Sequence, residues 1–396
     1  MAVTGVTSIC IYFQVHQPVR LRRFSVFGEH SGDSYGAYFD EKLNWETFSK
    51  VARKCYLPTN QILLDLIHRY DGKFKFAFSI TGIFLEQCAR YDPRLLESFV
   101  RLAETGCVEF LGETYFHSLC SLFRDKAEFF QQVEMHRKLV GSLFKSNSKV
   151  FRNTEALFSN EIAKLVDGMG YKGIITEGTT KLLVDRSPNH VYLANGTGSL
   201  KVLLRNYGLS DDIAYRFSDR RWAGYPLTPD KYAYWIKRSH GDIVNLFMDY
   251  ETFGEHQWAD TGIFDFLKHF PGEVLKYPDL DFNTPSEAVV RHPAVGEVGS
   301  LEPVSWADTE RDASAWLSND MQYECFDILQ KLAGPAKKAG KEYIWRLLQN
   351  SDHLYYMCTK FSIDEEVHEY FSPYKNPYGA YINYRNVLDD FERRLM

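Results

Sequence analysis

The stretch VFRNTEALFSNEIAKLVDGMGYKGIIT, residues 150–176, contains one complete strand–helix–strand unit. Val150–Glu155, which begins with two apolar residues, predicts a strand, and Asn160–Met169 has the spacing of an amphipathic helix that Gly170 closes. Gly173–Thr176 predicts the next strand. Strands that alternate with helices in this way run parallel, with the helices as crossovers.

The same alternation continues on both sides of this unit. Further strands are predicted at Ile9–Val15, Phe74–Ile80, Val108–Leu111, Leu200–Leu204 and Ile243–Met248. Helices are predicted from Thr59, from Pro93 to Gly106, over Lys126–Phe144 and from Pro229 to Arg238. The strand runs lack a regular polar alternation, which fits burial on both faces. About seven such strands favour a β/α barrel over a doubly wound sheet, and no G-x-G-x-x-G supports a dinucleotide fold.

The last part of the chain has a different pattern. From about residue 310 it is mostly helical, over Ala313–Leu332, Lys341–Gln349 and Pro377–Leu395. We therefore expect residues 1–300 to form the barrel and residues 301–396 to form a C-terminal helical region packed on it. The segment Asp185–Gly198, with its proline, asparagines and glycines, predicts an exposed connection.

Composition excludes some classes of function. The chain has 396 residues, 45% of them hydrophobic, which allows a large core. Its formal net charge of −6 argues against a nucleic-acid partner. Seven scattered cysteines without a C-x-x-C pair argue against a cysteine zinc site. The apolar run Ile9–Val15 is too short for a signal peptide or a membrane span, so we expect a cytoplasmic protein with no membrane partner.

Polar residues follow several predicted strands. They are His16 and Gln17 after the first strand, Glu113 and His117 after the third, Glu155 at the end of the fourth, and Asp249 and Glu251 after the last. In a β/α barrel the carboxyl ends of the strands meet on one face, where reactive groups gather. Cleavage of a sugar–sugar bond needs two carboxyl groups, one to donate a proton and one to attack or to activate water. Glu155 and Asp249 are our candidates for that pair.

The ordered motifs resemble family 57 of the glycoside hydrolases. They are His16-Gln17-Pro18, Gly112–Ser118, Phe151–Glu155, Met248–Gln257 and Trp306–Trp316. Two tail segments, Ser351–Met357 and Ser372–Tyr374, are similar to members usually labelled α-amylase. The resemblance therefore covers essentially the whole chain.

The resemblance implies an incomplete seven-stranded, TIM-like β/α barrel followed by a C-terminal helical region. It implies retaining hydrolysis of an α-glucan or maltooligosaccharide, without a cofactor or a metal. By the family motif, Glu155 would be the nucleophile and Asp249 the general acid/base, with their carboxyl groups about 5–5.5 Å apart. Arg152 is close enough in sequence to help ionise Glu155, although on a strand it could also point elsewhere.

The resemblance also supplies candidate substrate-binding residues: His16, Gln17, Glu113, His117, Glu251, His256, Trp306 and Asp308. His16 would hydrogen-bond the sugar with Gln17 as its support, and Trp306 would stack on a sugar ring. Each residue taken singly has a structural explanation as well. A histidine at a strand end often serves the fold, and a tryptophan often packs in a core.

Several alternatives remain open from the sequence. A 4-α-glucanotransferase or a branching enzyme of the same family would use the same two carboxylates but pass the sugar to another hydroxyl group. A metal-dependent carbohydrate deacetylase could use His16, Asp249 and His256 as ligands, although no H-x-x-x-H or H-E-x-x-H pair occurs. A glycan-binding protein without activity is the third alternative. The oligomeric state is open as well.

Overall fold

A computed structural model describes residues 5–25, 34–360 and 372–396. The strands are β1 (Thr7–Val15), β2 (Phe76–Ile80), β3 (Val108–Phe110), β4 (Val150–Arg152), β5 (Gly173–Glu177), β6 (Tyr192–Ala194), β7 (Lys201–Arg205), β8 (Ile243–Asp249), β9 (Leu280–Phe282) and β10 (Glu297–Val298). All seven predicted strands are present, with ends that shift by one to three residues.

Helices connect most of these strands and make up most of the C-terminal part. They are α1 (Ser34–Tyr38), α2 (Glu41–Val51), α3 (Leu57–Arg69), α4 (Gly82–Tyr91), α5 (Pro93–Glu104), α6 (Ala127–Phe144), α7 (Asn160–Gly168), α8 (Thr180–Leu183), α9 (Tyr207–Ala214), α10 (Pro229–Arg238), α11 (Ile263–Val274), α12 (Pro285–Arg291), α13 (Asp320–Lys331), α14 (Ala333–Lys338), α15 (Glu342–Leu348), α16 (Ser351–Tyr355) and α17 (Pro377–Leu395). A π-helical turn, Ala52–Tyr56, joins α2 to α3 without a break.

Seven strands run parallel in the order β3-β2-β1-β8-β7-β5-β4. The ladder between β1 and β8 is long, from Ser8 opposite Ile243 to Gln14 opposite Asp249. A single bridge between Gly112 and Phe151 links the ends of the row. In the described part of the chain, only one residue pair joins the strands at that point, and only one joins β7 to β8. This sparse pairing makes the sheet the incomplete β/α barrel that the family resemblance predicts.

Alternate residues of the strands face two different cores. Cys10 and Tyr12 of β1 belong to a small cluster with Leu203 and Phe247, which fills the inside of the barrel. Ile9, Ile11 and Phe13 belong to a larger cluster with the surrounding helices. Continuing the alternation along β1 therefore points Gln14 inward, above Tyr12.

Two expectations about local structure are wrong. The segment Asp185–Gly198 is not simply an exposed connection, because it contains β6, whose Tyr192 is 2% exposed and which pairs antiparallel with β7. The fourth strand ends at Arg152, so Glu155 lies beyond it in a 3₁₀ turn, Thr154–Ala156. Around β6 a short run of polar and turn-forming residues hides the backbone pairing that tertiary contacts impose, whereas after Arg152 the polar residues Asn153, Thr154 and Glu155 leave the strand for a turn.

The C-terminal helices share a core with one side of the barrel. Leu329, Leu348 and Leu388 belong to the same buried cluster as Phe151 and Ile174 of β4 and β5. The tail therefore packs against the strand that precedes Glu155.

Candidate active site

Strand register brings the predicted polar residues to one end of the barrel. Asp249 ends β8 directly opposite Gln14 of β1, and Ser79 of β2 lies on the other side of Gln14. Arg152 ends β4, and Glu155 follows in the next turn. Because parallel strands end on the same face, these residues surround one space.

Glu155 is held by three hydrogen-bond donors. His117 Nε2 lies 3.1 Å and Ser351 Oγ 3.0 Å from its Oε1, and Trp306 Nε1 donates to its Oε2 at 2.9 Å. The Ser305 hydroxyl also donates to the backbone carbonyl of Glu155 at 2.8 Å. Glu155 and His117 both have a left-handed backbone, with φ of 56° and 53°, and that unusual turn aims the carboxylate at its donors.

These donors favour the ionised form of Glu155. Burial alone raises its pKa, but the hydrogen bond and charge of His117, the charge of Arg152 and the Trp306 N–H together hold the pKa below the ordinary value of a glutamate. A carboxylate that accepts several hydrogen bonds stays deprotonated and available as a nucleophile or base.

The surroundings of Asp249 shift its pKa in the opposite direction to that of Glu155. Its pKa is raised to about 6, first by burial and then by the negative charge of Glu155, although Arg152 and Arg205 act against the shift. The influence of Glu155 on Asp249 shows that the two carboxyl groups share one electrostatic environment. Asp249 is therefore protonated in mildly acidic solution, where Glu155 is ionised.

Arg152 faces this pair instead of pointing away from it. Its side chain is fully buried, and its guanidinium lies 5.3 Å from the ring centroids of both Phe247 and Trp306. Among the described residues, none of its three guanidinium nitrogens has a hydrogen-bond partner. It therefore acts on Glu155 and Asp249 through its charge, which lowers the pKa of both.

His16 and His117 form a stacked pair beside Glu155. Their ring centroids are 4.0 Å apart. The Nδ1 of His16 lies 3.0 Å from Thr81 Oγ1, and its Nε2 lies 3.0 Å from Asn350 Nδ2 and 3.3 Å from Asp352 Oδ2. Burial and the neighbouring His117 lower the pKa of His16 to about 4, so His16 is neutral and both ring nitrogens are oriented.

Glu251, two positions after Asp249, shares a hydrogen-bonded cluster with Gln17 and Tyr56. Tyr56, which the π-helical turn directs inward, donates to Glu251, and Gln17 Nε2 lies 3.0 Å from the Tyr56 hydroxyl. Burial and the charge of Asp249 raise the pKa of Glu251 to about 8. A π-helical turn often marks a functional position, because it rotates one side chain out of the regular helix.

Glu113 is buried behind Arg152 and His117. Its Oε1 accepts a hydrogen bond from Ser79 at 3.1 Å, and burial raises its pKa to about 7, although the charges of Arg152 and His117 lower it. Near neutral pH it is therefore partly protonated, which limits the negative charge around Glu155 and Asp249.

Trp306 donates a hydrogen bond to Glu155 and also forms part of the wall of the site. Its ring stacks on Phe247 with centroids 4.7 Å apart, and Arg205 lies 5.9 Å from its centroid. Arg205 is fixed by Glu177 at 3.0 Å and Asp211 at 2.5 Å. This buried ion network supports the loop that carries Trp306.

Two further predicted residues, Asp308 and His256, lie on the loops that follow Trp306 and Glu251. Asp308 pairs with Lys360 at 3.0 Å; burial first, and then the charges of Asp308 and Glu155, raise the pKa of the partly buried Tyr355. His256 donates its backbone N–H to the carbonyl of Glu251 at 2.9 Å, and burial lowers the pKa of its ring to about 4. Both therefore lie on loops that also carry residues of the site, Trp306 and Glu251.

Sequence reasoning missed the contribution of α16 and the residue before it. Asn350 and Asp352 contact His16, and Ser351 contacts Glu155. The motif around residue 351 was visible as a tail resemblance, but nothing in a local pattern links two residues that are 196 positions apart. The C-terminal region thus supplies part of the site.

The described ranges, 5–25, 34–360 and 372–396, contain neither a candidate metal site nor a candidate membrane span. None of the histidine, cysteine, aspartate and glutamate side chains there form a group of three or more that could hold a metal ion. In the same ranges, no helix combines the length and the apolar character that crossing a membrane requires.

Comparison with known proteins agrees with the geometry. The family model described as Glycosyl hydrolase family 57 matches residues 10–300. A curated protein of Methanocaldococcus jannaschii named "Putative alpha-amylase" is 46% identical over 397 residues, which cover 97% of this chain and 84% of that protein.

Two solved structures share the fold. The GH57 branching enzyme of Thermococcus kodakaraensis has a TM-score of 0.67 at 13% identity, with 99% of this chain and 90% of that chain covered. The 4-alpha-glucanotransferase of Thermococcus litoralis has a TM-score of 0.61 at 16% identity, and the match covers 96% of this chain but only 55% of that longer one. Because the family model covers most of the chain and the Methanocaldococcus relative matches nearly all of it, the chain belongs to glycosyl hydrolase family 57.

Proposed function

We propose that this chain is a retaining hydrolase of α-glucans, with Glu155 as the nucleophile and Asp249 as the general acid/base. The observation that carries this proposal is the opposite direction of the pKa shifts of the two carboxyl groups. Three donors hold Glu155 and its pKa is lowered, whereas burial and the charge of Glu155 raise the pKa of Asp249 to about 6. Two carboxyl groups whose environments separate their pKa values divide the roles of base and acid.

The proposed reaction has two steps. Glu155 attacks the anomeric carbon while Asp249 gives its proton to the departing glycosidic oxygen, so that a glycosyl ester forms and the bond to the leaving sugar breaks. Asp249, now a carboxylate, then takes a proton from water, whose oxygen attacks the same carbon and releases Glu155. Such a mechanism requires the two carboxyl groups to lie about 5–5.5 Å apart.

The proposed sugar-binding residues are His16, Gln17, Glu113, His117, Glu251, His256, Trp306 and Asp308. The strongest support concerns His16 and Glu251. His16 is neutral, and Thr81 at its Nδ1 fixes the ring, so a sugar hydroxyl that takes the place of Asn350 at Nε2 would meet a defined hydrogen-bonding partner. Glu251, with its pKa raised to about 8, is a carboxylic acid at neutral pH and can donate as well as accept.

The choice of α-glucan as the substrate is supported by the relatives, whose names include an alpha-amylase, a branching enzyme and a 4-alpha-glucanotransferase. Of these, the alpha-amylase is the one with substantial sequence identity, so hydrolysis is our first choice and transfer the alternative. A digest of a single maltooligosaccharide tests this choice.

We expect shorter sugars as the main products of that digest. Products longer than the substrate in comparable amounts would favour glucan transfer, and new branch points in amylose would favour a branching enzyme. Release of acetate from an acetylated sugar, with activity that a chelator removes, would instead support the deacetylase alternative.

The pH dependence of kcat/KM should be bell-shaped and displaced to mildly acidic values. Activity needs ionised Glu155, whose pKa is lowered, and protonated Asp249, whose pKa is raised to about 6. Activity should therefore persist below the ordinary range of a glutamate on the acid side and fall as the pH rises through about 6. A plateau extending to pH 8 would contradict the assignment of Asp249 as the acid.

Replacing Ser351 by alanine should move only the acid side of this profile. The variant loses a 3.0 Å hydrogen bond to Glu155, and a hydrogen bond to a charged group contributes about 1.5–3 kcal/mol. The ionised form of Glu155 is then less favoured, so its pKa rises and the acid limb shifts to higher pH. Ser314→Ala, which removes a tail hydroxyl bonded to Asp312 instead, is the matched control and should leave the limb unchanged.

We also infer a division of the chain into a catalytic barrel, residues 1–300, and a helical region, residues 301–396. The contacts of Ser351 and Trp306 with Glu155 support a helical region that completes the site. A cytoplasmic location is our further inference, supported by the seven cysteines, all buried and free of disulfides. Fractionation of native cells would test it, and recovery of the activity outside the cell would contradict it.

A further inference from the structure

A second concave surface lies outside the candidate active site. It is a groove of about 570 Å³ whose walls are Arg22, Asp40, Glu41, Lys42, Trp45, Arg90 and Tyr91. We name it the Trp45 groove. Trp45 is 51% exposed, so part of its indole ring is open to solvent within this groove.

The groove is connected to the active site by two rigid elements. Trp45 stands on the unbroken helix that also carries Tyr56, the partner of Glu251, eleven positions further on, or about 16 Å along the axis. Tyr91 ends α4, whose N-cap, Thr81, contacts His16; the ten positions between them span about 15 Å. The groove is therefore a separate site, not an extension of the catalytic wall.

The charges of the groove are arranged for a neutral ligand. Arg90 pairs with Glu41 at 2.8 Å, its guanidinium lies 5.6 Å from the Tyr91 centroid, and its Nη1 bonds the Tyr35 hydroxyl at 3.1 Å. The ion pair of Arg90 and Glu41 therefore places hydrogen-bond donors and acceptors side by side, and their opposite charges nearly cancel. An ionic ligand would need one dominant sign of charge, which this wall lacks.

We propose that the Trp45 groove binds a segment of α-glucan chain away from the catalytic centre, an inference that rests on the proposed function. The flat apolar face of a glucose ring would cover the exposed indole of Trp45. The hydroxyl groups at the ring edge would reach the guanidinium and carboxylate groups of Arg90, Glu41 and Asp40. A long polymer held at this distance keeps its chain near the active site between cleavage events.

The test compares a long glucan with a short one. In Trp45→Ala, we expect the KM for glycogen to rise about five- to tenfold, because stacking on one aromatic ring is lost. The kcat, and the kcat/KM for maltotriose, should stay unchanged. Trp45→Phe, which keeps an aromatic face, should recover part of the affinity. Alanine is a strong helix former, so the exposed substitution should not unfold α2.

Tyr234→Ala is the matched control, since Tyr234 is 52% exposed on α10 and lies outside the groove. Glycogen affinity electrophoresis in a Glu155→Gln background measures binding without turnover. Equal retardation of the Trp45 variant and its parent would overturn the proposal, and so would an equal loss on maltotriose. If the parent neither binds nor cleaves any α-glucan, the proposed function itself fails, which is a different result from an active parent with an unaffected Trp45→Ala variant.

Discussion

Glu155→Gln lowers kcat on a maltooligosaccharide by roughly four orders of magnitude or more, as expected when the group that forms a covalent intermediate is removed. Glutamine has nearly the same shape but cannot attack the anomeric carbon. Its amide also cannot accept the hydrogen bonds of His117, Ser351 and Trp306 on both terminal atoms. We therefore expect a modest loss of stability, about 1–3 kcal/mol, beside the loss of turnover.

The same substitution has an electrostatic consequence at Asp249. Burial keeps the pKa of Asp249 high, but the second cause, the charge of Glu155, disappears. The pKa of Asp249 should therefore fall in Glu155→Gln, which a carboxyl titration by NMR would detect. Glu161→Gln is the control, because Glu161 is 66% exposed on α7. Turnover near that of the parent would reject Glu155 as the nucleophile.

Asp249→Ala lowers kcat/KM strongly on natural glucans and much less on substrates with an activated aryl leaving group. The reason is that an aryl oxide departs without a proton, so the first step no longer needs Asp249. The second step still lacks its base, and the glycosyl enzyme should accumulate and give a burst of aryl alcohol. Asp265→Ala, at a carboxylate 74% exposed on α11, is the control.

Azide separates the two roles by stereochemistry. In Asp249→Ala, azide should attack the glycosyl enzyme from the side of the departed sugar and give an α-glycosyl azide. In Glu155→Ala, azide should take the place of the carboxylate and give the β-product by direct displacement. The reverse pair of products would mean that the roles of Glu155 and Asp249 are exchanged.

The barrel could be predicted from the sequence because its strands are buried on both faces. Such strands appear in the sequence as short apolar runs. For Ile9–Val15 and Ile243–Met248 the apolar run alone is enough to predict the strand. The β6 strand was not predicted, because a strand of three residues between turn-forming neighbours is too short to show a hydrophobic periodicity. Its pairing with β7 and β10 is a tertiary effect.

The candidate site could be predicted where its residues follow strands or lie in an ordered motif. Glu155, Asp249, His16 and His117 follow strands, and Trp306 was located by its motif alone. Ser351 contacts Glu155 across a long separation in sequence, and a local pattern does not contain that information. Tyr56 was missed for a second reason, since a π-helical turn changes the direction of a side chain without a distinctive composition.

The left-handed backbone of His117 and Glu155 bears on how such an enzyme can change over generations. For a residue other than glycine, that conformation costs about 1–2 kcal/mol of folding free energy. A glycine at position 155 would avoid this cost, which would offset part of the stability lost with the hydrogen bonds. Removal of the side chain would also leave the donors His117, Ser351 and Trp306 without their acceptor. A descendant that no longer needs the reaction could therefore lose Glu155 only with a net loss of stability, unless those donors change as well.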